Sequence, residues 1–222
     1  MKTREISRVS PANGLSSLVN LISALKNSGV RELIKSRVEE FKKNRVKTSA
    51  EIFKELCFCI LTAHFNAEKT MKIQAEINDG FLSLSEADLA EKLKALGHRY
   101  PDSRARYIVE ARKMIPEIER VLSSSRDEKA LREWLVKNIK GLGYKEASHF
   151  LRNIGFMNVA IIDFHIINLL SRYGLIEETK TMTRRRYIEI EKKLAELAKI
   201  VGLSLGELDL YLWFIETGKV LK

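Results

Sequence analysis

The chain is short of the residues that punctuate and staple a protein. Three prolines in 222 residues leave long stretches free to run as helix, since an interior proline is what most often breaks one. Two cysteines, Cys57 and Cys59, are too few for a disulfide framework, and their spacing fits neither a C-x-x-C redox pair nor a zinc site. They stand in the apolar run Leu56-Cys57-Phe58-Cys59-Ile60-Leu61 and read as small hydrophobes. Glutamine is almost missing: Gln74 is the only one. Such scarcity of amides beside abundant Glu, Lys and Arg leans toward a thermophile. No apolar run approaches the roughly 18–20 residues that span a bilayer, and no secretory signal opens the chain. The expectation is a reducing cytoplasm with no membrane partner.

What is present is positive charge on a helical pattern. Lys and Arg outnumber Asp and Glu 39 to 29, for a formal net charge of +10. That excess suits a polyanion such as nucleic acid, although the surface of a thermophile's protein can also be basic. An apolar fraction of 45% allows a core without staples. Apolar residues recur at helical spacing through Leu15, Leu18, Val19, Ile22 and Leu25, then Leu33, Ile34, Val38 and Phe41. A third helix, capped by Thr48 or Ser49, carries Ile52, Phe53, Leu56 and Ile60. The same period predicts helices over 68–78, 85–96, 104–115, 127–139, 166–172, 187–201 and 205–216. Residues 155–162 are the one candidate strand, and an extended apolar connector explains them equally well. Ser123-Ser124-Ser125-Arg126 reads as a polar linker. The fold class is all-α.

The most informative stretch is 136–151, where a helix meets Gly141-Leu142-Gly143 and a second helix opens at Tyr144-Lys145. Glycines allow a tight turn and close backbone approach. The N–H groups and dipole at the new helix's start suit an anion such as a DNA phosphate, a contact that holds register without reading sequence. Asp163 follows Lys145 by 18 residues and precedes a helical run that it can cap.

Lys140-Gly141-Leu142-Gly143-Tyr144-Lys145 resembles the hairpin of the helix-hairpin-helix DNA glycosylase superfamily, and Ile162-Asp163-Phe164-His165 resembles its aspartate loop. Residues 145–155 with Ala160-Ile161-Ile162-Asp163 are similar to the archaeal-type branch of the 8-oxoguanine DNA glycosylase/lyases; the likeness spans about 30–222. The superfamily's iron–sulfur branch needs four clustered cysteines, which this chain lacks. The resemblance implies one glycosylase unit over 1–222 with two helical subdomains and the active site in the cleft between them. The expected boundaries are 48–125 for one part; 1–47 plus 126–222 form the other, with the hairpin 136–151, the aspartate loop 160–165 and the tail 217–222. It implies Lys145 as the nucleophile that forms a Schiff base, and Asp163 as the carboxylate that stabilises charge on the sugar. The partner is double-stranded DNA containing an oxidised purine, met by a monomer in the cytoplasm or nucleoid. No cofactor is implied beyond a monovalent cation on the hairpin's backbone carbonyls, and no side-chain metal site is visible.

Further roles follow from the same resemblance. Trp213, nine residues before the final Lys222, stacks on the flipped base, and Lys222 helps to recognise it through either its carboxylate or its ammonium. Tyr100 takes the opposite wall. Asp209, four residues before Trp213 and on its face, either reaches the base or is an exposed acid. His165 either donates to a phosphate or is a satisfied histidine. The loop Leu61-Thr62-Ala63-His64-Phe65-Asn66 supplies a wedge for the vacated position; the family usually has asparagine where His64 stands. Phe65 either stacks there or packs in the core. Arg99 and Arg104, together with Arg106 and the run Arg184-Arg185-Arg186, are expected phosphate contacts, with a solvated helix start as the other reading of the run. Three rivals differ in chemistry: a glycosylase for another base, a non-catalytic helix-hairpin-helix DNA-binding module, and a helical interaction protein.

Overall fold

The computed structural model describes residues 11–177 and 181–222; the first ten residues of the expected 1–47 segment lie outside them. Among the described residues there are thirteen α-helices and no strand. Contacts divide the chain into two compact units, Met1–Ser36 with Ile162–Val220 and Arg37–Ile161 with Leu221–Lys222. Helix α1 (Pro11–Lys26) belongs to the first, and α2 (Val30–Asn44) starts in the first and ends in the second.

The second unit is built around α3 (Ser49–Thr62), on which α4 (Ala67–Ile77), α5 (Gly80–Ser83), α7 (Pro101–Arg112), α8 (Ile115–Ser124) and α10 (Tyr144–Asn153) pack. A helix surrounded in this way must be apolar on every side, which is why 53–62 reads as a nearly unbroken apolar run with all but Glu55 buried. Cys57 and Cys59 are fully buried and unpaired, and burial pushes both thiols upward from the ordinary value. α6 (Glu86–Ala95) pairs with α7, and α9 (Glu128–Asn138) with α10. The hairpin therefore groups with 48–125 rather than with the chain ends, because α10 lies on α3.

Caps settle several boundaries. Thr48, not Ser49, accepts from the Glu51 N–H at 3.3 Å, and Ser85 and Asp127 cap α6 and α9. The helix expected over 104–115 starts earlier, at Pro101, and ends at Arg112. A separate helix, α8, then opens with Pro116 in its first turn and runs to Ser124, so the polar linker is shorter than expected. Proline costs nothing in a first turn, where its missing N–H has no partner to lose.

Residues 155–162 form the extended connector and not a strand. Val159, Ala160, Ile161 and Ile162 are buried, but among the described residues there is no strand to pair with. Its start is held by the Glu128 carboxylate, which accepts from the N–H groups of Met157 and Asn158 at 3.3 and 2.5 Å. Gly155 lets the chain turn out of α10 at φ +85°, where a Cβ would meet the Phe41 carbonyl at 3.0 Å.

The first unit packs α1, α11 (Phe164–Arg172), α12 (Arg184–Val201) and α13 (Leu205–Thr217) together. Ser204 and Glu207 form a reciprocal cap at the start of α13, and Gly218 stops it in the left-handed conformation, as expected. No helix among the described residues is long and apolar enough to cross a membrane.

Candidate active site

The hairpin delivers Lys145 by a specific local device. Gly141 lies at φ +86°, and a Cβ there would come within 2.6 Å of the Tyr107 ring, so both backbone and neighbour demand glycine. Gly143 is different: its φ of −90° is open to any residue, and its N–H donates to the Glu146 carboxylate at 3.2 Å. The acid placed at the head of α10 suits the helix dipole. Lys145 follows in the first turn with its side chain 23% exposed, and its Nζ stands 4.0 Å from Glu146.

One turn along the same face of α10 is His149, then Arg152 and Asn153. Opposite them α3 presents Glu55, Phe58 and Cys59. His149 is buried and meets Phe58 edge-on at 5.5 Å. Burial first, and then the charges of Arg152 and Lys145, hold its pKa well below the usual histidine value, while the Lys222 main chain acts the other way. Asn153 donates to Glu55 at 3.3 Å, and Glu55, Phe58, His149 and Asn153 converge on one spot, with Lys145 one turn of α10 before His149. Lys222 is seated within it. Its ammonium donates to Glu55 at 2.8 Å and Gln74 at 2.5 Å and lies over the Phe58 ring at 4.5 Å.

The wedge loop and the wall form a second cluster in this unit. His64 is exposed with φ +59°, a left-handed conformation that asparagine tolerates better than most residues. The family's usual asparagine therefore has a backbone reason as well. Phe65 is half-buried, packed against the core and against His98 at 4.4 Å, which favours the core-packing reading. His98 itself donates from Nε2 to the Leu61 carbonyl at 3.0 Å and accepts at Nδ1 from the Tyr100 N–H at 3.1 Å. That pattern requires the neutral ring, and burial lowers its pKa.

Tyr100 is 37% exposed, with Arg99 over its ring at 5.1 Å. Arg104, expected as a phosphate contact, is instead buried: it donates to the Ala63 carbonyl at 2.8 Å and lies over Tyr100 and Tyr107. Its guanidinium ties α7 to the wedge loop, which is why it faces inward. Arg185 and Arg186 pair with Glu189, so the Arg184–Arg186 run is a helix start with its own counter-charge.

In the first unit Asp163 caps α11, accepting from the Ile166 N–H at 3.0 Å. Phe164, 64% exposed, stacks on His165 at 3.8 Å, and His165 meets Trp213 edge-on at 4.8 Å. Asp163, His165 and Trp213 thus share one unit. Asp209 is buried, 8% exposed, which removes the exposed-acid reading. Glu55, Gln74, Phe58, His98 and His149 were not singled out from the sequence. Helical spacing from Lys145 could have found His149; nothing local marks Glu55, whose partner lies 167 residues away.

The two neutral histidines make stability pH-dependent. Both pKa values are lowered in the folded chain, so their contribution is complete above about pH 6.5, the unfolded value, and is lost as pH falls below it. The unfolding free energy from urea titrations is expected to drop on acidification by up to ~1.4 kcal/mol per pH unit for each histidine. His98→Gln and His149→Gln should each flatten the slope; an unchanged slope in both variants would assign it to carboxylates.

A glycine hairpin that presents a lysine at the head of a helix, in an all-helical chain, defines a helix-hairpin-helix protein. The family described as 8-oxoguanine DNA glycosylase matches residues 34–203, and the chain belongs to that family. An 8-oxoguanine DNA glycosylase/AP lyase of Korarchaeum cryptofilum is 59% identical over 210 residues, 94% of this chain and 100% of the relative. The crystal structure of the Methanocaldococcus jannaschii 8-oxoguanine glycosylase/lyase with a 15mer DNA containing 8-oxoguanine superposes with a TM-score of 0.90 at 53% identity, covering 93% of this chain and 100% of that one. The 8-oxoguanine DNA glycosylase of Thermotoga maritima gives 0.88 at 42% identity, covering 94% and 100%.

Proposed function

We propose that this chain excises 8-oxoguanine from duplex DNA and cleaves the resulting abasic site by β-elimination. The observation that carries this reading is the seating of Lys222 on Glu55, Gln74 and Phe58, where Phe58 packs on His149 one turn of α10 beyond Lys145. The names of the similar proteins, and the DNA bound to one of them, support it.

Lys145 attacks C1′ as a free amine; the bond to the base breaks, and the base leaves with the electron pair and takes up a proton. The attached amine gives up a proton and the C1′–O4′ bond breaks, O4′ leaving with the electron pair and taking up a proton, so that the ring opens to a Schiff base. This acidifies C2′, and loss of the C2′ proton forms the C2′–C3′ double bond and expels the 3′ phosphate. Asp163, its carboxylate directed by the cap it forms, stabilises positive charge on the sugar as the base departs. Trp213 and Tyr100 stack on the extruded base, with Asp209 shielded one turn before Trp213. 8-Oxoguanine carries an N7–H where guanine has an acceptor. Because the Lys222 ammonium is committed to Glu55 and Gln74, the terminal carboxylate is the group left to accept that proton. The hairpin at Gly141 and Gly143, with Arg99, His64 and His165, meets the DNA. Phe65 supports the wedge from behind, and Arg104 holds the loop from within. The reading places the enzyme in a prokaryotic, thermophilic cytoplasm, acting as a monomer. The one ion it includes is a monovalent cation on the hairpin carbonyls.

The test is release of free base from duplexes carrying 8-oxoguanine, uracil, a thymine mismatch or thymine glycol. Release of another base alone would change the substrate class, and tight binding with no release would favour a DNA-binding module. Deleting Lys222 is expected to slow 8-oxoguanine excision by roughly tenfold or more, the worth of one hydrogen bond to a charged acceptor. Cleavage of a preformed abasic site should fall less, and equal losses would remove the recognition role.

A further inference from the structure

Lys222 is held by two side chains to which the reaction assigns no chemical step. Its ammonium donates to Glu55 and Gln74, and the Gln74 amide donates in turn to Glu55 at 3.2 Å and to the Lys54 carbonyl at 2.9 Å. The other Glu55 oxygen accepts from Asn153 at 3.3 Å, and Asn153 accepts from Arg152 at 3.1 Å. Glu55 is thus the meeting point of α3, α4, the tail and the end of α10, the helix that carries Lys145 at its head.

The chemistry of position 74 is selective. It must accept from an ammonium and donate to a carboxylate at once, and only an amide of this length offers both groups on one rigid plane. A glutamate there would face Glu55 with a second acceptor, and a lysine would face Lys222 with a second cation. The chain's only glutamine stands where neither charge would serve.

We propose that Glu55 and Gln74 are positioning residues for base discrimination: they fix the Lys222 ammonium over Phe58, the ring that packs on His149 of α10, and so set where the terminal carboxylate lies. This rests on the functional reading above for its consequence, but not for the anchoring itself. Two measurements separate them. A carboxypeptidase specific for C-terminal lysine and arginine, followed by mass spectrometry of the intact chain, reads the anchoring. Glu55→Gln and Gln74→Leu are each expected to release Lys222 roughly tenfold or more faster than wild type, since each removes a charge-assisted or part-buried hydrogen bond. Unchanged release in both folded variants would overturn the proposal.

The second measurement compares 8-oxoguanine excision with abasic-site cleavage. Both variants should lower the first more than the second, and their effect on the ratio should vanish in a background lacking Lys222. Additive losses would mean that Glu55 and Gln74 act on α10 or the core, not through the tail. Wild-type protein that releases no 8-oxoguanine would defeat the functional reading, and lysine release would still decide the anchoring.

Discussion

Lys145→Gln should bind 8-oxoguanine duplex and give no covalent adduct when borohydride is added, whereas the wild-type protein is trapped. Borohydride reduces a Schiff base to a stable amine, so the adduct reports a lysine joined to the sugar and nothing else in the proposed sequence. Glutamine stays polar, one atom shorter than lysine, and removes the nucleophile. Excision and strand cleavage are both expected to fall by at least ~10³-fold, as for the loss of other covalent nucleophiles. The fold should not suffer. Lys145 is partly exposed, and its nearest counter-charge is Glu146 at 4.0 Å, a contact worth ~0.5 kcal/mol or less. A normal melting temperature with no adduct assigns the chemistry to Lys145. An adduct that persists in the variant would place the attacking amine elsewhere.

Much of this arrangement is legible in the sequence because helices leave a period. The apolar spacing finds most of the thirteen helices among the described residues, and Gly141-Leu142-Gly143 marks the hairpin because a positive φ at 141 has a residue type that suits it. What escapes is set by long-range contact. The helix over 115–124 escapes, with its last two residues read as linker, because its apolar stripe is short and Pro116 reads equally as a break and as a start. Arg104 looked like surface because arginine usually is; only the carbonyl of Ala63 and two tyrosine rings explain why it turns inward. The hairpin's grouping with 48–125 depends on α10 lying on α3, which no periodicity encodes. Glu55 shows the limit best. It is an acid in an apolar run, and its meaning depends on the last residue of the chain.

Asp163→Asn separates two duties that Asp163→Ala would confound. The side chain caps α11 through Ile166, and asparagine caps a helix about as well as aspartate. The Asn variant should therefore stay within ~0.5 kcal/mol of wild-type stability, whereas Ala should lose ~1 kcal/mol with the cap. Charge is the difference. A neutral amide cannot offset the positive charge that builds on the sugar as the base departs, and loss of one such group typically costs about 10²- to 10³-fold in rate. That penalty applies to base release. A preformed abasic site presents an open aldehyde, and forming the Schiff base from it builds no glycosyl cation, so borohydride trapping at such a site should be far less affected. Asn at full excision rate, with Ala slowed only in step with its stability, would reduce Asp163 to a cap. Slow excision with a stable fold and near-normal trapping at the abasic site would confine its charge to the glycosidic step, leaving the lyase step to Lys145.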